Sequence, residues 1–138
     1  MQKKDIGYLI KNINDKMKVN ADADLKRYNL TLTQSRVMSY LGSCGGQTTQ
    51  KDIEVYLEVS HPTVVGVVSR MEQNGYVTSW QSEDRRNKNV KLTPKAEAID
   101  EDLRKNMRAN EQKLLKPLSE QEREQLCEML TMLLKNLE

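Results

Sequence analysis

The chain predicts a mainly α-helical fold carrying one small β-hairpin. Three observations support this. Apolar residues recur at spacings of three and four at both ends of the 138-residue chain. Ser- and Thr-led start signals and Gly or Asn stop signals punctuate its middle. One pair of β-forming segments flanks a short, polar, cationic tip.

The elements follow in order. Residues 4–19 place Ile6, Leu9, Ile10, Ile13 and Met17 on one helical face. Asp22–Leu25 either continues that helix or opens a second turn, and Asn29, which tolerates the left-handed conformation, stops it. Thr31–Leu32–Thr33 offers an N-cap, Val37, Met38, Tyr40 and Leu41 form a buried stripe, and Gly42 with Gly45–Gly46 closes the helix. Thr49 with Asp52 three residues on opens a third helix, to which Ile53, Val55 and Leu57 supply apolar contacts. Ser60–His61–Pro62–Thr63 is a strong start signal, with Ser as cap and Pro in the first turn, for a fourth helix running to about Asn74 before Gly75. Tyr76–Trp80 is rich in β-formers and pairs with Asn89–Thr93. Helix resumes after Pro94 and ends near Pro117, and Ser119–Glu122 caps a last helix to Leu137. The middle of the chain therefore reads as a helix-turn-helix followed by a wing.

Charge points to the partner. The net charge is only +2, but residues 76–95 carry five Lys/Arg against two Asp/Glu, and residues 96–138 carry seven against ten. An anionic partner is thus expected for one region only. The fourth helix turns Val64, Val67, Val68 and Met71 inward and offers His61, Thr63, Val65, Gly66, Ser69, Arg70 and Gln73 on its other side. A B-DNA major groove admits one such helix, whose N-terminal half reaches base edges. Short polar groups and a glycine there allow close approach, and Val65 can pack on a thymine methyl. The hairpin tip, with Arg85, Arg86 and Lys88, can enter the neighbouring minor groove, where negative potential is focused. Asp84 beside them can hold an arginine extended through a charge-assisted bond.

Other classes fare worse. One histidine, no glycine-rich phosphate loop and no nucleophile with a neighbouring base argue against an enzyme. Cys44 and Cys127 are far apart and indicate neither a disulfide nor a metal motif, and no cofactor is implied. No apolar run approaches the roughly 18 residues of a membrane span and no signal peptide is evident, so a cytoplasmic location is expected. A protein–protein adaptor built on a winged fold is the alternative function; it predicts a dispensable basic hairpin.

Asp84–x–Arg86–x–x–x–Val90–x–Leu92–Thr93 resembles the wing signature of the MarR (multiple antibiotic resistance regulator) family. "SHPTVVGVVSRMEQNGYV" resembles that family's recognition helix, and "LTLTQSRVMSYL" its second helix. The likeness spans nearly the whole chain. It implies a homodimeric winged helix-turn-helix regulator of double-stranded DNA, usually a repressor, in which a small ligand or oxidation alters affinity. It makes Arg86 the minor-groove arginine and Asp84 its positioning partner. It puts Ser60, His61, Pro62, Thr63, Val65 and Gly66 at the major groove, with Thr33, Thr49, Ser69, Arg70, Arg85 and Lys88 completing the expected DNA surface. Many members have a polar or cationic pair where this chain has Val65–Gly66, so base readout here leans on apolar contact and flanking groups.

The organisation expected is a single MarR-like domain over 1–138, with a DNA-binding lobe at 30–94 and dimerisation helices at 1–29 and 95–138. Leu126, Leu130, Leu133 and Leu137 step like a coiled-coil seam, widened by Met129 and Leu134, and Ile6, Ile10, Ile13 and Met17 repeat the stepping. Ile99, Leu103, Met107 and Leu114 add a third stripe. Two-fold symmetry would set two recognition helices about one duplex turn apart on a pseudo-palindromic site. For the signal, a single His disfavours a metal. The family's peroxide-sensing branch carries its reactive cysteine in the first helix, and residues 1–30 contain none. A small lipophilic or phenolic effector is the remaining expectation, with Tyr8, Met17, Tyr28 and Tyr40 as candidate wall residues.

Overall fold

A computed structural model of the protein describes residues 4–138. Six helices and three short strands follow one another as α1 (Ile6–Arg27), α2 (Leu32–Ser43), β1 (Gln47–Thr49), α3 (Gln50–Leu57), α4 (His61–Gln73), β2 (Val77–Gln81), β3 (Lys88–Leu92), α5 (Pro94–Leu115) and α6 (Glu120–Asn136). The chain divides into two compact units, the first ending at Arg104 and the second spanning Lys105–Glu138.

The capping chemistry sets the helix starts in the first unit. Thr31 and Gln34 form a reciprocal capping box on α2, with Gln34 N–H donating to Thr31 Oγ1 at 3.1 Å and Thr31 N–H to Gln34 Oε1 at 3.2 Å. Thr49 Oγ1 accepts Asp52 N–H at 3.1 Å at the head of α3. Between α3 and α4, Glu58 takes the left-handed conformation (φ 55°), and the Glu54 carbonyl accepts Val59 N–H, so the turn is tight without a glycine. Gly75, at φ 79°, ends the next helix in the conformation that glycine adopts at least cost.

The core sits among α2, α3, α4 and the sheet. Val37, Met38 and Leu41 meet Ile53, Leu57, Val64, Val68 and Met71, and Val77, Val90, Leu92 and Ala96 close the far side. Each Val, Leu, Ile or Met side chain among them, fully buried, stabilises the unit by about 1.5–3 kcal/mol. Val55, expected among the apolar contacts of α3, is exposed instead. The reason is geometric: two residues on, it lies about 200° round the helix from Ile53, whereas Leu57 returns to the same face. Tyr40 is half-buried, its ring stacked on Tyr56 at 4.2 Å between centroids.

The sheet is antiparallel in the order β1-β3-β2. The hairpin pairs Val77 with Leu92 and Gln81 with Lys88, one residue off the expected segments. Tyr76, just before it, donates its hydroxyl to the Tyr28 carbonyl, and Thr93 N–H still reaches the Tyr76 carbonyl at 3.1 Å. The additional strand β1 pairs Thr48 with Val90. Its short polar sequence carries no alternation that would announce it. The start of α5 is tied down by Thr93, whose Oγ1 accepts Ala96 N–H at 3.2 Å and donates to the Gly75 carbonyl. Further along, Arg104 bonds Asp100 at 2.9 Å and the Ser39 carbonyl at 2.9 Å. Gly42 leaves room for that pair, since a Cβ there would lie 2.5 Å from Asp100 Oδ2.

α1 runs unbroken through Asp22–Leu25, is capped by Tyr28 and is followed by left-handed Asn29. It buries no residue: Ile6, Leu9, Ile10, Ile13 and Met17 all lie exposed. In the second unit, Ser119 and Glu122 form the capping box of α6, and Arg123 donates to Gln112 at 2.9 Å. Met129, Leu130, Leu133, Leu134 and Leu137 are likewise exposed.

Candidate nucleic-acid interface

α4 starts at a well-made cap. Ser60 Oγ accepts Thr63 N–H at 3.4 Å and shares a hydrogen bond with Thr63 Oγ1 at 2.8 Å, while Pro62 occupies the first turn, where its missing N–H costs nothing. Val64, Val68 and Met71 hold the inner face. That leaves His61, Pro62, Thr63, Val65, Gly66, Ser69 and Arg70 exposed. Gly66 is unobstructed: a Cβ built there meets no atom of the described residues within 4 Å. The backbone of α4 is therefore bare on its outer side.

His61 is not a free ring. Its Nδ1 lies 2.8 Å from Oε1 of Glu54 on α3, the side chains being 69% and 14% exposed. Thr33 is half-buried in the first turn of α2, and Thr49, also half-buried, spends its oxygen on the α3 cap.

The wing tip is a closed turn. Ser82 N–H donates to the Asn87 carbonyl at 2.8 Å and Arg85 N–H to the Ser82 carbonyl at 2.9 Å. Arg85 adopts φ 58° to complete the reversal. The Asp84 carboxylate accepts the Ser82 hydroxyl and the Arg86 N–H, the latter at 3.1 Å. These two bonds, the Ser82 one first, pull its pKa below the ordinary aspartate value. The expected guanidinium partner is thus replaced by the main chain, because an Asp two residues before an N–H closes an Asx-type turn at no entropic cost to a long side chain. Arg85, Arg86 and Lys88 stay exposed, without a carboxylate partner among the described residues.

Helix and wing are joined by one carboxylate. Glu72, in the last turn of α4, accepts Ser79 N–H at 3.1 Å through Oε1 and the Ser79 hydroxyl at 3.0 Å through Oε2. Because β2 is an edge strand, this N–H has no ladder partner, and Glu72 supplies one. Neither Glu54 nor Glu72 stands out in the sequence. Each acts on a residue seven positions away across a turn, a spacing with no local signature. For Ser82, two before Asp84, the signal that could have found it is the enrichment of Ser and Asp in turns.

The four candidate effector residues are spread over α1, its C-cap and α2. Tyr8 and Met17 lie on α1, Tyr28 donates its hydroxyl to Asp102 at 3.1 Å, and Tyr40 stacks on Tyr56. A depression of about 360 Å³ at the α1–α2 junction is lined by Asp22, Leu25, Lys26, Asn29, Leu30, Thr31 and Leu32, none of those four. Cys44 and Cys127 are exposed free thiols. Among the described residues no acidic, His or Cys cluster is placed to hold a metal, and no helix is long and apolar enough to cross a membrane.

Comparison with known proteins agrees with this geometry. The sequence profile of the MarR family matches residues 28–86, which run from the end of α1 into the wing tip. An uncharacterized HTH-type transcriptional regulator of Bacillus subtilis, YwoH, is 34% identical over 131 residues, covering 93% of this chain and 95% of its own. Among solved structures, MepR, a transcription regulator of the Staphylococcus aureus multidrug efflux pump MepA, superposes with a TM-score of 0.80 at 30% identity, over 97% of this chain and 99% of that one. MepR in its DNA complex matches with a TM-score of 0.76 at 30% identity, over 96% and 99%. The chain belongs to the MarR family, and its fold is that family's winged helix-turn-helix.

Proposed function

We propose that the protein is a sequence-specific regulator of transcription that binds double-stranded DNA as a homodimer, acting as a repressor on a pseudo-palindromic operator. The observation that carries this reading is the pairing of a bare helix face with a cationic finger on one scaffold. α4 offers His61, Thr63, Val65, Gly66 and Ser69 without a covering element, and the wing that Glu72 ties to it ends in Arg85, Arg86 and Lys88. The helix suits the major groove, and the finger suits the minor groove beside it. Ser60 and Thr63 at the helix N-terminus, with Thr33, Arg70 and the hydroxyl proton of Thr49, whose oxygen only accepts in the α3 cap, are suited to phosphates. The MepR–DNA complex, a neighbour across nearly the whole chain, supports the same reading.

What supports the dimer is the row of exposed apolar residues on α1 and on α6, surface that a second copy of the chain would bury. These terminal helices would serve as the dimerisation part of a single domain around the lobe at 30–94. A small lipophilic or phenolic effector, and a cytoplasmic location, go with this family role. Selection of bound fragments from random duplex DNA tests the proposal. The expected result is a two-fold related motif with half-sites about one helical turn apart. Recovery of no motif, together with a monomer in sedimentation equilibrium, would overturn it.

A further inference from the structure

The contact between α3 and the first residue of α4 goes beyond positioning. A carboxylate has no proton to donate, so Glu54 Oε1, 2.8 Å from His61 Nδ1, holds the hydrogen on Nδ1. In the neutral imidazole the other nitrogen, Nε2, is then a lone-pair acceptor. Nε2 has no protein partner among the described residues, and the ring is largely exposed at the head of the helix. Glu54 is well placed to hold the ring still. Its side chain is mostly buried, and its own carbonyl anchors Val59 N–H in the turn that leads to His61.

We propose that Glu54 is a positioning residue for base readout, and that it makes His61 select an exocyclic amino group in the major groove. Major-groove amino donors are N4 of cytosine and N6 of adenine; guanine and thymine present acceptors at the corresponding edge. An Nε2 acceptor bonds the first pair and meets lone pairs on the second. The inference rests on the proposed DNA-binding reading and adds to it which hydrogen-bonding class one half-site position must have.

Because His61 is the sole histidine, its ring nitrogens can be read directly. A long-range proton–nitrogen correlation spectrum at pH 8.5 should show a protonated Nδ1 and a pyridine-like Nε2. A ring protonated on Nε2 would overturn the proposal, whatever any variant does. Binding is then measured at the same pH against half-sites carrying each base at the position lost from the H61A selection. Wild type should favour cytosine or adenine there by roughly tenfold, the scale of one well-placed base contact; the two arms tell which amine is read. Glu54→Ala should flatten this preference while leaving the salt dependence of binding unchanged, and should add little in the H61A background. Glu54→Gln, whose amide oxygen can still accept the Nδ1 proton, should restore most of it. Preference retained in Glu54→Ala would remove Glu54 from the readout, whereas failure of wild type to bind any duplex would sink the DNA-binding reading itself.

Discussion

Asp84 Oδ1 accepts the backbone N–H of Arg86 at 3.1 Å, so the carboxylate shapes the turn that presents the arginine rather than pairing with its side chain. The bond leaves the guanidinium free to meet phosphate or a base edge. It also ties the wing tip to pH. With the folded pKa of Asp84 depressed, the contact is complete above the ordinary aspartate value and is lost as pH falls through the lower folded one. The Arg86 amide resonance should therefore titrate with a midpoint below that of a free aspartate. A midpoint at or above the free value would show that Asp84 does not hold the turn. Asp84→Ala should broaden the wing-tip resonances and weaken DNA binding without lowering the melting temperature appreciably.

Arg86 itself should carry the larger effect. An arginine inserted into a narrow groove is worth about 1–3 kcal/mol, so Arg86→Ala should weaken binding to the selected operator by that amount in a gel-shift titration at fixed salt. Lys88, also exposed at the base of the tip, suits a phosphate instead. Lys88→Ala should weaken specific and non-specific duplexes alike and reduce the slope of log affinity against log salt by about one per contact. Equal binding by wild type and Arg86→Ala would make the basic wing dispensable, as an adaptor function requires.

Much of this was written locally in the chain. Thr31, Thr49, Ser60 and Ser119 each announced a helix start by a side-chain oxygen near an amide without an intrahelical partner, and each caps its helix. The stripe Val64, Val68 and Met71 announced the buried side of α4, and so its open side. What the sequence hid depends on long-range pairing. β1 exists because Val90 and its neighbours offer a free edge, not because Gln47–Thr49 favours a strand. Val55 is apolar and so reads as a core contact, but its angle round α3 turns it outward. The ties of Glu54 to His61 and Glu72 to Ser79 cross turns whose geometry sets which side chains meet.

Glu72 should couple the helix to the wing. Its two bonds to Ser79 join β2 to α4, and a hydrogen bond of this kind, open to solvent, contributes about 0.5–1.5 kcal/mol to stability. Glu72→Ala should consequently melt within a few degrees of wild type yet bind operator more weakly, because the finger no longer sits at a fixed angle to the helix. The effects of Glu72→Ala and Arg86→Ala should be less than additive in a double-mutant cycle, if both act through one groove contact as proposed. Full additivity would mean that Glu72 acts elsewhere.

Gly66 offers the sharpest separation of folding from binding. A glycine in the interior of an exposed helical segment costs about 0.8–1.0 kcal/mol relative to alanine, and nothing among the described residues lies within 4 Å of where its Cβ would be. The fold therefore gains nothing from its absence of a side chain, and the free protein would be more stable with alanine. The same methyl would stand between the α4 backbone and the floor of a major groove, beside Val65, which is 41% exposed. Gly66→Ala should raise the stability of the free protein by up to about 1 kcal/mol in urea unfolding while lowering affinity for the selected operator. Opposite signs in the two measurements identify the duplex as the body that Gly66 accommodates. A variant that gains stability and keeps full affinity would place this face of α4 away from the bases.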